Sequence, residues 1–403
     1  MSNGTGGLNL TIADASGNVL AQAPAYIQVQ DIKQMYERWT VGEEPSQAPK
    51  SVADKTVDGV TTAFQYTPPQ DTNTPYILFV HGWNMETWEK DRFAESAFKR
   101  LYWQGYKGRF GSFRWPTDYG FTGTDINALI QSHNFDNSEF SAWQSAVGLT
   151  NLLIKLKTQY PGHVYLLAHS LGNVVAGEAL RLAGTNQVVN TYVASHAAIP
   201  AHVYDASVTT PYLLAFIYNN PLVPDYLEPS GFNYGPNTPN IYGNRLATNS
   251  AAVGRKISFY NINDFALAQP RWGYDQITKP DTFIGGHYYY TGSTNNVAPW
   301  NHFEFVFYSG GTPTSFDIVN SLQDRYTVMA YAAESRSTAV GATPGITNLV
   351  NLNLTTVWPT DTSGHSYADH FWHSAEFRGD CWQEWNYWQT LLRSSTLGFN
   401  ISN

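Results

Sequence analysis

The chain has 403 residues, of which 42% are hydrophobic and only 14% charged, enough to bury a sizeable core within one large domain. Its net charge is −9, with Lys and Arg scattered and no basic cluster, which argues against nucleic acid and acidic membrane surfaces as partners. The single cysteine, Cys381, excludes an internal disulfide framework, and no apolar run reaches the length of a membrane span.

Residues 8–30 alternate apolar and polar side chains around an Asp14–Asn18 turn, the pattern of a β-hairpin. The start, Met-Ser-Asn-Gly-Thr-Gly-Gly, lacks a charged-then-apolar leader and reads equally well as the trimmed beginning of a longer exported protein, so the compartment stays open. Asp31–Thr40 reads as a short helix or turn, and Thr61–Tyr66 as a strand ended by Pro68-Pro69. Thr74–Asn84 holds a short apolar strand that closes on His81-Gly82-Trp83, and an amphipathic helix follows from about Glu86 to Gln104.

Phe110–Trp115 reads as a strand. Glu139–Tyr160 is a long helix with apolar residues at Trp143, Val147, Leu149, Leu152, Leu153 and Leu156, stopped by Pro161-Gly162. Val164–Asn173 is the most informative stretch. An apolar strand ends abruptly in Ala168-His169-Ser170-Leu171-Gly172, and an Ala/Val/Leu/Gly helix pattern follows. That order puts a serine hydroxyl at the tip of a tight strand-to-helix turn, where the next backbone N–H and the helix N-terminus face a developing oxyanion. Strands at Thr191–Ala194 and Lys256–Asn261 come next, and the repeated strand–helix alternation implies a parallel sheet with right-handed crossovers. Arg325–Ala342 has the composition of a crossover helix. Leu349–Val357 reads as a last strand, followed by a histidine-rich loop and a helical pattern from Ala375 onward.

The elbow matches Gly-x-Ser-x-Gly with Ala168 in place of the first glycine, a mild departure because alanine is also small. With the His-Gly strand about ninety residues upstream, the chain resembles an α/β-hydrolase of the serine esterase and lipase type over roughly residues 74–395. The resemblance implies a mostly parallel central sheet flanked by helices, with Ser170 as nucleophile and the N–H groups of Leu171 and Trp83 as oxyanion donors. It also places Trp83 and His169 where substrate binds. A serine needs a base to take its proton and an acid to orient that base, in the family's chain order serine, acid, histidine. Asp264, just past the Lys256–Asn261 strand, fits the acid; Asp205 is its main rival, with Asp275 and Glu304 weaker. The base belongs on the loop before the last helix. His373 stands directly before that helix, with His365 as the alternative and His370 third.

A metal reading competes, since His365, Asp369, His370 and His373 offer nitrogen and oxygen ligands. Their spacing matches no standard zinc motif, so neither metal nor other cofactor is expected. No dinucleotide or phosphate-loop glycine pattern occurs, and the pairs Gly285-Gly286 and Gly310-Gly311 read as turns. Residues 1–70 are expected as N-terminal strands packed on or leading into the core. Residues 71–403 are expected as the catalytic domain, with Tyr-, Pro-, Asn- and Gly-rich insertions at about 205–250 and 265–325 that read as surface elaboration or as a lid. With 26 Tyr, 21 Phe and 13 Trp, a large, apolar or polymeric ester is the expected substrate, although aromatic cores give the same count. An amidase or peptidase with the same triad, and a non-catalytic binding module of a larger surface protein, are the alternatives.

Overall fold

The computed structural model describes residues 4–29, 31–42, 72–118, 134–205, 207–208, 250–262, 264, 266–267, 281–284, 287–290, 339–354, 373–378 and 384–402. Strands β1 (Gly4–Ala13) and β2 (Val19–Val29) form the expected antiparallel hairpin, with Leu10 opposite Ala23. Its turn is built by Asp14, whose carboxylate accepts from the backbone N–H groups of Ser16 and Asn18.

The main sheet takes β3 (Glu37–Thr40), β4 (Tyr76–Val80), β5 (Arg109–Arg114), β6 (Val164–His169), β7 (Val189–Ser195) and β8 (Val253–Tyr260). A further antiparallel pair, β9 (Asp281–Ile284) and β10 (His287–Tyr290), stands outside it, and β11 (Val350–Asn353) completes it. The order is β11-β8-β7-β6-β4-β5-β3, and all six pairings are parallel. Every residue of β4 and β6 is buried, which is why both read as unbroken apolar runs rather than alternating ones.

Period two along these strands divides the core into two layers. Leu78, Val80, Leu166, Ala168 and Tyr192 face helices α2 (Asn134–Gln159) and α3 (Gly172–Ala183). Ile77, Phe79, Leu167, Val193, Ile257 and Phe259 face the other way, in a layer with Phe93, Ala97 and Leu101 of α1 (Thr87–Trp103). Phe377 of the short α4 (Ala375–Arg378), and Trp388 and Leu391 of α5 (Trp385–Arg393), lie in the same layer. Helices on both faces of a parallel sheet leave the carboxyl ends of the strands as the edge where side chains converge.

One element departs from expectation. Asp31–Thr40 is not all helix or turn: a 3-10 turn at Ile32–Gln34 leads into β3, the edge strand beside β5. Its charges hide it in the sequence, because they are buried and paired. Glu37 accepts from Arg109 at 2.7 Å and from the Tyr76 hydroxyl at 2.7 Å, while Asp91 of α1 gathers Arg114, Lys33 and Arg38. Helix α2 also begins earlier than expected, at Asn134. The Thr61–Tyr66 strand, most of the Arg325–Ala342 helix and most of both insertions lie outside the described residues.

Candidate active site

Four strands end at one edge with side chains able to do chemistry: His81 after β4, Ser170 after β6, His196 after β7 and Asp264 beyond β8. Ser170 has φ 53°, the left-handed region that costs an ordinary residue about 1–2 kcal/mol. The strain is offset by an over-determined turn. The Ser170 N–H donates to Ser195 O at 3.1 Å, and the Ser170 carbonyl accepts from the N–H groups of Asn173 and Ala198, both at 3.1 Å. The fully buried Asn173 amide donates to the carbonyls of Ser170 at 2.9 Å and Ala168 at 3.2 Å, and accepts from the Tyr192 hydroxyl at 2.6 Å. Gly172 must be glycine, because a Cβ there would collide with the carbonyl of His81. Ala168 is accommodated inside the core layer facing α3.

The His-Gly loop lies directly against this elbow. A Cβ on Gly82 would stand 2.9 Å from Cβ of Ser170 and 3.1 Å from Nδ1 of His169. His81 fixes the loop: its ring stacks on Trp115 at 5.2 Å, Nδ1 donates to Gly82 O at 2.8 Å, and Nε2 accepts from the Trp115 N–H. Burial, aided by Lys90, holds the His81 pKa well below the ordinary value, so the ring is neutral and the Trp115 contact selects its tautomer. Trp83, the residue after Gly82, packs against the core, and Leu171 is the N-cap residue of α3.

The structure brings three of the expected residues into one hydrogen-bonded chain. Nε2 of His373 lies 2.8 Å from Oγ of Ser170, and Nδ1 of His373 lies 2.7 Å from Oδ2 of Asp264. Asp264 is fully buried, and its other oxygen accepts from the N–H groups of Ala266 at 2.9 Å and Leu267 at 3.2 Å. Burial raises its pKa, but His373 and His196 more than reverse that, leaving the carboxyl ionised well below the usual range. His169 is 1% exposed and donates from Nε2 to the carbonyl of His373 at 2.8 Å, so its contact is with the backbone of that loop. Burial, then the neighbouring His373 and His196, keep it neutral.

The rival acid, Asp205, is a turn staple. It accepts from the N–H and hydroxyl of both Ser207 and Thr347, and it takes no part in the Ser170–His373–Asp264 chain. His365, His370, Asp369, Asp275 and Glu304 lie outside the described residues. Among the described residues, His196, Asp264 and His373 bring ligand atoms within 4.8 Å of one another. Both Nδ1 atoms are directed at one carboxylate oxygen, the donor–acceptor pattern of a hydrogen-bond chain rather than of a metal shell.

Three residues at the site escape sequence reading: Asn173, His196 and Glu376. His196 had a usable signal, since it directly follows an apolar strand and therefore falls at the same sheet edge as Ser170. Glu376 is a helical residue whose full burial comes only from the packing of α4.

Residues 60–204 match the model of a family described as alpha/beta hydrolase of unknown function (DUF900). Among solved structures, acetyl xylan esterase 1 from Thermoanaerobacterium sp. JW/SL YS485 is similar at 13% identity with a TM-score of 0.26, over 49% of this chain and 62% of that one. No curated protein matches. The sheet order, the two helical layers and the strand–Ser170–helix turn are those of the α/β-hydrolase fold.

Proposed function

We propose that this protein is a serine hydrolase that cleaves carboxylic esters through an acyl-enzyme intermediate. The observation that carries the reading is the Ser170–His373–Asp264 chain, with contacts of 2.8 and 2.7 Å, on an elbow whose serine has φ 53°. Nε2 of His373 is within reach of the serine proton, and Asp264 holds Nδ1–H so that Nε2 is the basic nitrogen. As Ser170 attacks the ester carbonyl, the proton passes to His373 and the carbonyl oxygen becomes an oxyanion. The N–H groups of Leu171 and Trp83 receive that oxyanion. His373 then protonates the departing alkoxide. A water molecule, deprotonated by His373, attacks the acyl-Ser170 and releases the acid.

Nothing in this machinery requires a cofactor, because proton transfer and charge stabilisation suffice for acyl transfer. The aromatic-rich composition favours a large, apolar or polymeric ester. The test is hydrolysis of a p-nitrophenyl ester series by wild type, Ser170→Ala and His373→Ala. Turnover present in wild type and lost in both variants is expected. Activity unaffected by Ser170→Ala would overturn the reading. A wild type that cleaves anilides and not esters would replace it with the amidase alternative.

A further inference from the structure

Asp264 serves two histidines. Its Oδ2 accepts from Nδ1 of His373 at 2.7 Å and from Nδ1 of His196 at 2.8 Å. The opposite ring nitrogen of His196, Nε2, faces Oε2 of Glu376 at 3.6 Å. Asp264, His196 and Glu376 are all completely buried. His196 also has φ 43°, the left-handed region, and its backbone is clamped: its N–H donates to Phe259 O at 3.0 Å, and Gly341 approaches its carbonyl too closely to bear a side chain. Two neighbouring strands of the sheet thus end in residues with left-handed backbone, Ser170 and His196. The Asp264 carboxylate is linked to the first through His373 and to the second directly.

The groups facing this ring can be named by element. Asp264 comes from the loop after β8, Glu376 from α4, His373 from the residue pair before α4, and His169 from the end of β6. The Ser195 hydroxyl donates to Oε1 of Glu376 at 3.0 Å and accepts from Tyr387 of α5 at 3.0 Å. Burial pushes the Glu376 carboxyl up, and a positive His196 ring counters it. A neutral His196, with His169 also neutral, would leave ionised Asp264 and Glu376 on its two sides without compensation, a costly arrangement in a low dielectric. A protonated His196 leaves one net negative charge. When His373 takes the serine proton, two imidazoliums then face two carboxylates and the cluster is electrically neutral.

We propose that His196 is a permanently protonated positioning residue that shares Asp264 with the base, and that Glu376 supplies the second negative charge, which balances the cluster in the transition state. The proposal rests on the ester-hydrolase reading for its catalytic consequence, but not for the charge state itself. Burial disfavours the charged ring, and Glu376 followed by Asp264 outweigh it, so the His196 pKa stands above the ordinary value.

Two measurements test it. In wild type without substrate, the ¹⁵N shifts of His196 are expected to show both ring nitrogens protonated throughout about pH 5–8. A neutral ring or a titration inside that window overturns the proposal, whatever the enzyme hydrolyses. The second measurement is the rate of Ser170 modification by an alkyl fluorophosphonate, followed against pH for wild type, His196→Asn, Glu376→Gln and the double variant, each checked for its fold by thermal unfolding. His196→Asn keeps an N–H for Asp264 but carries no charge. Its loss of positive charge lets the protonated, inactive base persist to higher pH, so the acid limb moves up. Glu376→Gln is expected to slow labelling about 10–100-fold, the range for outer partners of catalytic groups, and to cost little more once His196 is gone. An unchanged acid limb in His196→Asn, or losses that multiply in the double variant, would show a merely structural role. Absence of labelling in wild type would sink the hydrolase reading, and the ¹⁵N result would still decide the charge state.

Discussion

Gly82 and Ser170 meet so closely that a single methyl group at position 82 would stand 2.9 Å from the Cβ of the serine. The His-Gly turn is therefore a wall against the Ser170 side chain, in addition to the N–H proposed for it. Gly82→Ala must push the loop or the elbow by several tenths of an ångström. Turnover of a p-nitrophenyl ester is expected to fall about 100-fold, the scale on which small misplacements of reacting groups act. Chemical unfolding should show a smaller loss of about 1–3 kcal/mol from overpacking.

Asn173 is the keystone of the turn. Asn173→Leu removes the amide bonds to Ser170 and Ala168 and leaves the Tyr192 hydroxyl without its acceptor. Urea unfolding should show a loss of about 2–4 kcal/mol, together with weakened turnover. Tyr192→Phe, which deletes one donor and keeps the ring, should cost only about 1 kcal/mol.

Asp264→Asn keeps the shape of the acid and removes its charge. Two histidines then face a neutral amide, and the tautomer of His373 is no longer held with Nε2 as acceptor. The expected drop in kcat is about 10⁴-fold, the order seen for this change in serine hydrolases. A drop below tenfold in steady-state kinetics would remove Asp264 from the mechanism.

Asp205 gives a pH signature in stability rather than in rate. The Ser207 hydroxyl, then the Thr347 hydroxyl and N–H, hold its carboxyl well below the ordinary range. A depressed value in the folded state means that ionisation favours folding. The contribution is complete above about pH 4 and is lost as pH falls further. Asp205→Asn should lower stability by about 1–3 kcal/mol at pH 7. Urea titrations at successive pH values should show the gap between wild type and variant closing between about pH 4 and pH 2.

Much of the fold could be read from local pattern. The runs at Tyr76–Val80 and Val164–His169 are unbroken because those strands are buried on both faces, and the elbow stands out because strand, serine and helix are contiguous. Asp264 and His373 were reachable for a different reason: each lies just beyond a strand or just before a helix, and chain order narrows the choice. β3 was not legible. Glu37 and Arg38 look like solvent-facing charges until Arg109 and Asp91, more than fifty residues away, are known to pair with them. His196 and Glu376 were hidden by the same physics. They are 180 residues apart in sequence, and only the docking of α4 against the end of β7 puts their charges together. Periodicity reports which face a residue occupies, and a buried ion pair is a relation between two faces.

The distance along the chain from Ser170 to His373 has a temporal meaning. The elbow needs β4, β6, β7, their helices and the chain as far as Ala198, whereas His373, the base of the proposed mechanism, arrives 203 residues after Ser170. A ribosome that has released the chain through Ala198 has released a shaped serine without its hydrogen-bond partner His373. In the proposed mechanism reactivity switches on only when the segment carrying His373 docks and closes contacts of very long sequence separation, the slowest class to form. Activity by the proposed mechanism would then report that the segment carrying His373 has been made: a chain interrupted between residues 170 and 373 would carry Ser170 without the histidine that its hydroxyl contacts.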